Sequence, residues 1–231
     1  MKLKVLGSSS IGNCYILHNE TEGIIIEAGV RFIEVQKALD FDISNVNYCV
    51  ISHSHGDHSK YSEQFEKHGI NVIKEHTHAL PWKLGRFAVT PLEVKHDVKC
   101  FCFAIHHPET GVILFATDTY LIPYKLINVS HLVIEANYDE SLLNSNIESG
   151  AIHPVYANRV IQSHMSIDTT IKYLKTNLDE GYFSQLRNVI LVHLSGNNSN
   201  INDFVRRIEE TIAITPIVAK KGLEINFNKE L

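Results

Sequence analysis

Between positions 53 and 58 the chain reads His53-Ser54-His55-Gly56-Asp57-His58, three imidazoles and one carboxylate within six residues. Neutral imidazole nitrogens and carboxylate oxygens are donors that zinc, manganese and iron accept, so the chemistry on offer is metal coordination. His53 and His55, two residues apart, point the same way on extended backbone and suit one ion. Asp57 and His58 lie past Gly56, where a glycine lets the loop turn tightly, and suit a second ion. Two cations about 3.5 to 4 Å apart repel each other, so such a site needs a carboxylate between them and further imidazoles to close the coordination shells. Three later residues fit that need: His96 after Leu92-Glu93-Val94-Lys95, Asp118 in Phe115-Ala116-Thr117-Asp118-Thr119, and His193 in Val189-Ile190-Leu191-Val192-His193. Asp118 and His193 each follow an apolar run of strand length, His96 stands near the mouth of a third strand, and Asp118 is the candidate bridge. The expected ligands are His53, His55, Asp57, His58, His96, Asp118 and His193, holding two divalent ions, Zn2+ or Mn2+.

The elements that must carry these ligands are mostly strands. Residues 2–6, 13–18 and 23–28 are patterned as strands, and 32–39 has helical spacing. The largely apolar run 46–52 reads as a strand buried on both faces, which puts the histidine cluster in the loop at its carboxyl end. Residues 87–116 read as a meander, with strands at 101–106 and 112–116 around the turn Pro108-Glu109-Thr110-Gly111. Alternation then returns: a strand at 131–135, helices near 140–145 and 166–178, a strand at 188–192, a helix at 201–212 and a last strand near 223–227. Two β-rich halves with helices outside imply an α/β (α+β) class and a four-layered αββα sandwich, in a single domain over residues 1–231.

With 231 residues, 44% hydrophobic and 20% charged, the chain can build a core without disulfides. The formal charge of −5 excludes a strongly basic nucleic-acid wrapper. Met1-Lys2-Leu3-Lys4 leads into polar residues and not into a signal-like apolar segment, and no run approaches the roughly 18 to 20 apolar residues of a membrane span. A cytoplasmic protein without membrane association is expected. Cys14, Cys49, Cys100 and Cys102 sit in apolar segments without a Cys-x-x-Cys pair and are expected in the core. His18, His68, His76, His78, His106, His107, His131 and His153 lack the context of the ligand candidates and are expected at the surface or in turns.

The order His-x-His-x-Asp-His followed by separate His, Asp and His resembles the ligand set of the metallo-β-lactamase superfamily over the whole chain. More narrowly, Gly12-Asn13-Cys14-Tyr15, Glu135-Ala136-Asn137-Tyr138-Asp139, Ser163-His164-Met165-Ser166 and His193-Leu194-Ser195 resemble the bacterial YycJ/WalJ-type branch, whose members are described as 5′ to 3′ exonucleases acting on DNA. The chain departs from that pattern at Glu27-Ala28-Gly29, where Asp-Ala-Gly is usual, at Tyr138, where a His is common, and at Ser163, where a Gly is common. The resemblance implies phosphodiester hydrolysis by a hydroxide between two metals, with Asp57 and His164 as catalytic residues. The counterpart of His164 lines the cleft, and here it directly precedes a helix start at Ser166, whose exposed amides are expected to hold a phosphate. Ser195, Asn197 and Asn198 offer neutral donors to a second phosphate. Because the chain is acidic overall, a DNA substrate requires local positive charge, and Lys60, Lys83, Arg86 and Arg159 are the candidates. Two other functions stay open: a phosphodiesterase for small or cyclic nucleotides, and a nucleic-acid-binding module with a vestigial site, against which the complete ligand set argues.

Overall fold

Apolar residues recur with period two through much of the chain, and those stretches pair as strands. The computed structural model describes residues 1–74 and 81–228, so His76 and His78 lie outside the described residues. The strands are β1 (Lys2–Gly7), β2 (Cys14–His18), β3 (Gly23–Ile26), β4 (Val46–Val50), β5 (Asn71–Ile73), β6 (Trp82–Leu84) and β7 (Phe87–Val94). There follow β8 (Cys100–His107), β9 (Gly111–Ala116), β10 (Val129–Glu135), β11 (Asn188–Val192), β12 (Ile217–Val218) and β13 (Glu224–Asn226). The helices are α1 (Phe32–Ala38), α2 (Gly56–Ser59), α3 (Ser62–Lys67), α4 (Glu140–Glu148), α5 (Pro154–Ser163), α6 (Ile167–Asp179) and α7 (Ile201–Ile212).

The strands form two sheets, ordered β13-β1-β2-β3-β4-β5 and β12-β11-β10-β9-β8-β7-β6. Alternation decides which residues fill which layer. Ile24 and Ile26 turn inward to meet Phe103, Phe115, Val133 and Ile190 of the other sheet, while Ile25 turns outward with Cys49 and Ile51 against Phe32 of α1 and Phe65 of α3. On the far side, Leu114, Leu132 and Leu191 pack under Leu174 of α6 and Phe204 and Ile208 of α7. The result is the expected helix–sheet–sheet–helix order. Tyr15 meets Phe115 edge-on across the two sheets, with ring centroids 5.0 Å apart. Truncating such a buried ring to alanine typically costs about 3 to 5 kcal/mol, so this contact fixes the spacing of the layers.

Register does the rest of the positioning. In the parallel run β9-β10-β11, Phe115 aligns with Val133 and Val133 with Ile190, so the three strands end level with one another. In the first sheet β3 and β4 are also parallel, with Ile26 opposite Val50. The carboxyl ends of parallel strands in both sheets therefore deliver side chains to a common rim.

The sequence reading missed α5, and also α3 and the short strands β5, β6 and β12, which are too brief to show a clear period. The expected tight turn at Gly56 is instead the first residue of α2; its φ is not positive, and a side chain there would meet nothing within 4 Å. The expected core cysteines are all buried free thiols. Two histidines expected at turns or the surface are buried. His107 reaches Glu22 Oε1 at 3.1 Å, and His131 stacks on Phe227 with centroids 4.2 Å apart. Among the described residues no helix is long and apolar enough to cross a membrane.

Candidate metal centre

Four strand ends supply the centre. His53 follows β4, Asp118 follows β9, Glu135 ends β10 and His193 follows β11; His96 stands just past β7. His55 caps α2, whose first turn carries Asp57 and His58, so the cluster that reads as one loop is an extended segment running into a helical turn.

The first group brings together His53, His55, His96 and Asp118. His53 Nε2 lies 3.0 Å from His55 Nδ1, and His96 Nε2 lies 3.3 Å from that same nitrogen. Asp118 Oδ2 stands 3.9 Å from both His53 Nε2 and His96 Nε2. The opposite ring nitrogens are held from outside. His96 Nδ1 donates to the Ser163 carbonyl at 2.7 Å, and His53 Nδ1 contacts Ser52 Oγ at 2.9 Å. Such outer partners fix which nitrogen faces inward.

The second group comprises Asp57, His58, Asp118 and His193. His58 Nε2 is 3.3 Å from both Asp57 Oδ2 and Asp118 Oδ1, and His193 Nε2 is 3.5 Å from Asp57 Oδ2. Asp118 thus turns one oxygen to each group. The structure therefore brings together all seven residues anticipated as ligands.

The donor chemistry fits divalent cations. Converging imidazole nitrogens about 3 Å apart form a set that a metal satisfies. His193 Nε2 is buried without a hydrogen-bond partner, as a ligand nitrogen would be. Burial, with the neighbouring His58, pushes His53 far below the ordinary histidine range, into the neutral form that ligates. Asp118 is fully buried, which should raise its pKa, yet His193 and His58 hold its carboxyl well below the usual range. Against the burial that would lower them, Asp118 and the carboxylates around it push His58 and His193 up toward their charged forms, and a bound cation would supply that counter-charge in place of their protons.

Glu135, to which the sequence reading gave no role, organises the far side. Its Oε1 accepts from His193 Nδ1 at 2.9 Å and His164 Nδ1 at 2.6 Å, while Oε2 accepts from the Thr119 and Met165 amides at 3.2 and 3.1 Å. Glu27 does the equivalent on the near side. Its carboxylate accepts from the Ser52 amide, and Oε2 lies 3.4 Å from His58 Nδ1. Asn13 adds a third brace, with Nδ2 3.0 Å from His58 Nε2 and 3.3 Å from Asp57 Oδ2. Glu27 and His193 both adopt positive φ, +67° and +55°, a strain that surrounding contacts must hold in place. Asp97 was also missed: one oxygen lies 3.0 Å from His96 Nε2 and the other binds Arg159 at 2.8 Å. The available signals were a lone carboxylate ending an apolar strand for Glu135 and adjacency to His96 for Asp97.

A cavity of about 290 Å³ opens over the cluster, lined by Ser10, Asp57, Asp118, Tyr156, Arg159 and His164 among others. A second, of about 520 Å³, continues past Tyr156 and His164 to Ser195, Asn197 and Asn198. His164 lines both, and it caps the end of α5 in addition to preceding α6. Against the burial that would lower it, the charge of Glu135 raises the His164 pKa. Of the amides at the start of α6, two are already engaged: Ile167 N–H donates to the Tyr138 carbonyl and Thr169 N–H to Ser166 Oγ. Asn197 is exposed, whereas Asn198 is buried and braces its own loop through Ser195 Oγ and Asn146 Nδ2. Of the four basic residues expected around the cleft, Arg159 lines it and is paired with Asp97. Arg86 instead pairs with Glu22 and Glu109 beside a different cavity, Lys60 lies over the Tyr61 ring, and Lys83 sits on β6; none of these three lines the cleft.

Residues 9–139 match the family model of the metallo-beta-lactamase superfamily. No curated protein matches the chain in sequence. Among solved structures, the fold is similar to the metallo-β-lactamase fold protein YhfI from Bacillus subtilis, at TM-score 0.69 and 15% identity, covering 97% of this chain and 98% of that one. It is also similar to a diphosphatase from the PhnP family, at 0.63 and 14%, covering 97% and 96%, and to the short form of human tRNase Z, at 0.61 and 12%, covering 99% and 100%. At these identities the likeness is one of fold.

Proposed function

Because this chain belongs to the metallo-β-lactamase superfamily, a group of metal-dependent hydrolases, we propose that it is a dinuclear phosphodiester hydrolase acting on nucleic-acid ends. The observation that carries the proposal is the position of Asp118, with one oxygen toward each of two ligand groups. In this reading His53, His55 and His96 would hold one ion and Asp57, His58 and His193 the other, with Asp118 offering an oxygen to each. Zn2+ or Mn2+ suits such donors. Two divalent ions bound there would supply Lewis acidity and lower the pKa of water.

The chain's own residues orient and move protons. Glu135 accepts a hydrogen bond from His164 Nδ1, leaving Nε2 as the other polar atom of a ring that lines the cavity. A protonated His164 can donate from Nε2 to the leaving oxygen. Asp57, held by Asn13, positions the reacting phosphate's side of the centre, while Ser195 and Asn197 offer donors to a neighbouring phosphate. Asn198 acts by holding that loop. The finer reading, a cytoplasmic 5′ to 3′ exonuclease on DNA, rests on the YycJ/WalJ-type motifs; a tRNase and a diphosphatase, by name, share the fold.

A second reading, hydrolysis of small or cyclic nucleotides, is favoured by one observation: the only cleft cation of the four anticipated is Arg159, and it is already paired. Metal analysis together with digestion of 5′- and 3′-end-labelled DNA, RNA and cyclic nucleotides separates the two. About two metals per chain and release of mononucleotides or short pieces from a DNA end are expected. Rapid cleavage of a cyclic nucleotide with DNA untouched would leave the second reading standing, and a metal-free, inactive protein would sink both.

A further inference from the structure

A separate cavity of about 550 Å³ adjoins the metal centre on the opposite face of the Ser8–Gly12 turn, and Ser8, Ile11, Gly12, Arg31, Lys220 and Lys221 help to line it. The wall between the two is one loop thick. Ser10 lines the cavities over the metal ligands, whereas Ser8, Ser9, Ile11 and Gly12 line this one. Ser8 Oγ accepts the His193 amide at 3.0 Å, and Gly29, also on the lining, is so close to Asp57 that a Cβ would fall 1.7 Å from its carbonyl oxygen.

The charge of the groove is positive in excess. Arg31 and Lys220 are exposed and have no carboxylate partner among the described residues; Lys221 pairs with Glu34 at 2.6 Å. Lys60 belongs to the same side, its Nζ 5.4 Å from the centroid of Tyr61, which lines the groove. Unneutralised cations converging on a groove of this size suit a polyanion. At the tip of the dividing turn, Ile11 is 91% exposed, an apolar side chain presented to solvent at the step between the groove and the metal cavity. An apolar residue so placed can pack against or between bases.

We propose that this groove holds the phosphodiester backbone of a single nucleic-acid strand whose end lies in the metal cavity, with Ile11 packing on a base where the strand crosses the turn. The inference rests on the phosphodiesterase reading above and adds the strand's path and the residues that track it.

The test uses the metal-loaded protein and a fluorescent single-stranded oligonucleotide with phosphorothioate linkages, which resists cleavage. Binding is followed by anisotropy across a salt series. The double variant Arg31→Glu/Lys220→Glu should weaken binding about tenfold or more at low salt and reduce the slope of log K against log salt by about two, one per lost phosphate contact. Ile11→Ser should weaken binding severalfold while preserving the slope. Unchanged affinity and slope in the double variant would overturn the groove, and unchanged affinity in Ile11→Ser would overturn the packing role. Hydrolysis of bis(p-nitrophenyl) phosphate by the unaltered protein reports on the metal centre separately. Its absence counts against the phosphodiesterase reading, whereas its presence with no oligonucleotide binding counts against the groove alone.

Discussion

Glu135→Gln keeps the shape of the side chain and removes one acceptor face. The native carboxylate accepts from two imidazoles through Oε1 and from two backbone amides through Oε2. A glutamine oxygen can serve only one of those pairs, and its NH2 group then confronts two donors. The Thr119 and Met165 amides cannot turn away, so the oxygen should go to them and the NH2 to the rings. Two hydrogen bonds to a charged acceptor, at about 1.5 to 3 kcal/mol each, are then lost, and relief of repulsion from nearby Asp118 offsets part of this. A net loss of about 3 kcal/mol in folding stability follows, read by urea denaturation of the chelated protein. His193 can escape the clash by moving its proton from Nδ1 to Nε2, but that nitrogen then cannot bind metal. Metal affinity should fall about 10- to 100-fold, measured by competition with a chromogenic chelator. A variant within about 0.5 kcal/mol of the parent that also kept its metal affinity would refute the tautomer argument.

Two glycines in the same region should behave oppositely. Gly29→Ala drives a Cβ into the Asp57 carbonyl and should cost both fold stability and metal content, whereas Gly56→Ala meets open space and should change stability by less than about 1 kcal/mol; equal thermal shifts would contradict this. His131, buried against Phe227 and close to Arg187, is pushed down to about 4. The unfolded chain takes up its proton near pH 6.5 and the folded one only near 4, so stability falls as pH drops through that window, by about 3 kcal/mol in total, and is flat for this group below it. Denaturation series at several pH values should show a shallower acid slope in His131→Asn, and an identical slope would exclude the assignment. His164→Ala should lower turnover about 10²- to 10⁴-fold with metal content intact; loss of a metal equivalent would make it a ligand.

What could be read in advance depended on how far each residue acts through its neighbours in sequence. His53, His55, Asp57 and His58 announce themselves because they are adjacent, and Asp118 and His193 because each interrupts the end of an apolar strand. Glu135 ends such a strand too, but its meaning lies in partners at Thr119, His164 and His193 that only the parallel register brings near. The basic residues were hardest. Lys60, Lys83 and Arg86 were sought in the cleft, yet the exposed cations beside the centre include Arg31 and Lys220, which come from opposite ends of the chain. Helix α5 was missed although its Pro154 start is an ordinary opening signal.

The shared position of Asp118 also bears on mechanical cohesion. His53, His55, Asp57 and His58 hang from the first sheet, while His96, Asp118 and His193 hang from the second. Ions gripped by both would act as rivets through the rim of the sandwich, adding metal bonds to the few hydrogen bonds that already cross there, such as Phe101 N–H to the Ser52 carbonyl and the His193 amide to Ser8 Oγ. An ion in either group would hold Asp118 in place for the other, which works against the repulsion between the two cations. Amide exchange at the carboxyl ends of β4, β9 and β11 should then slow in unison as metal is added, even though these strands share no single sheet.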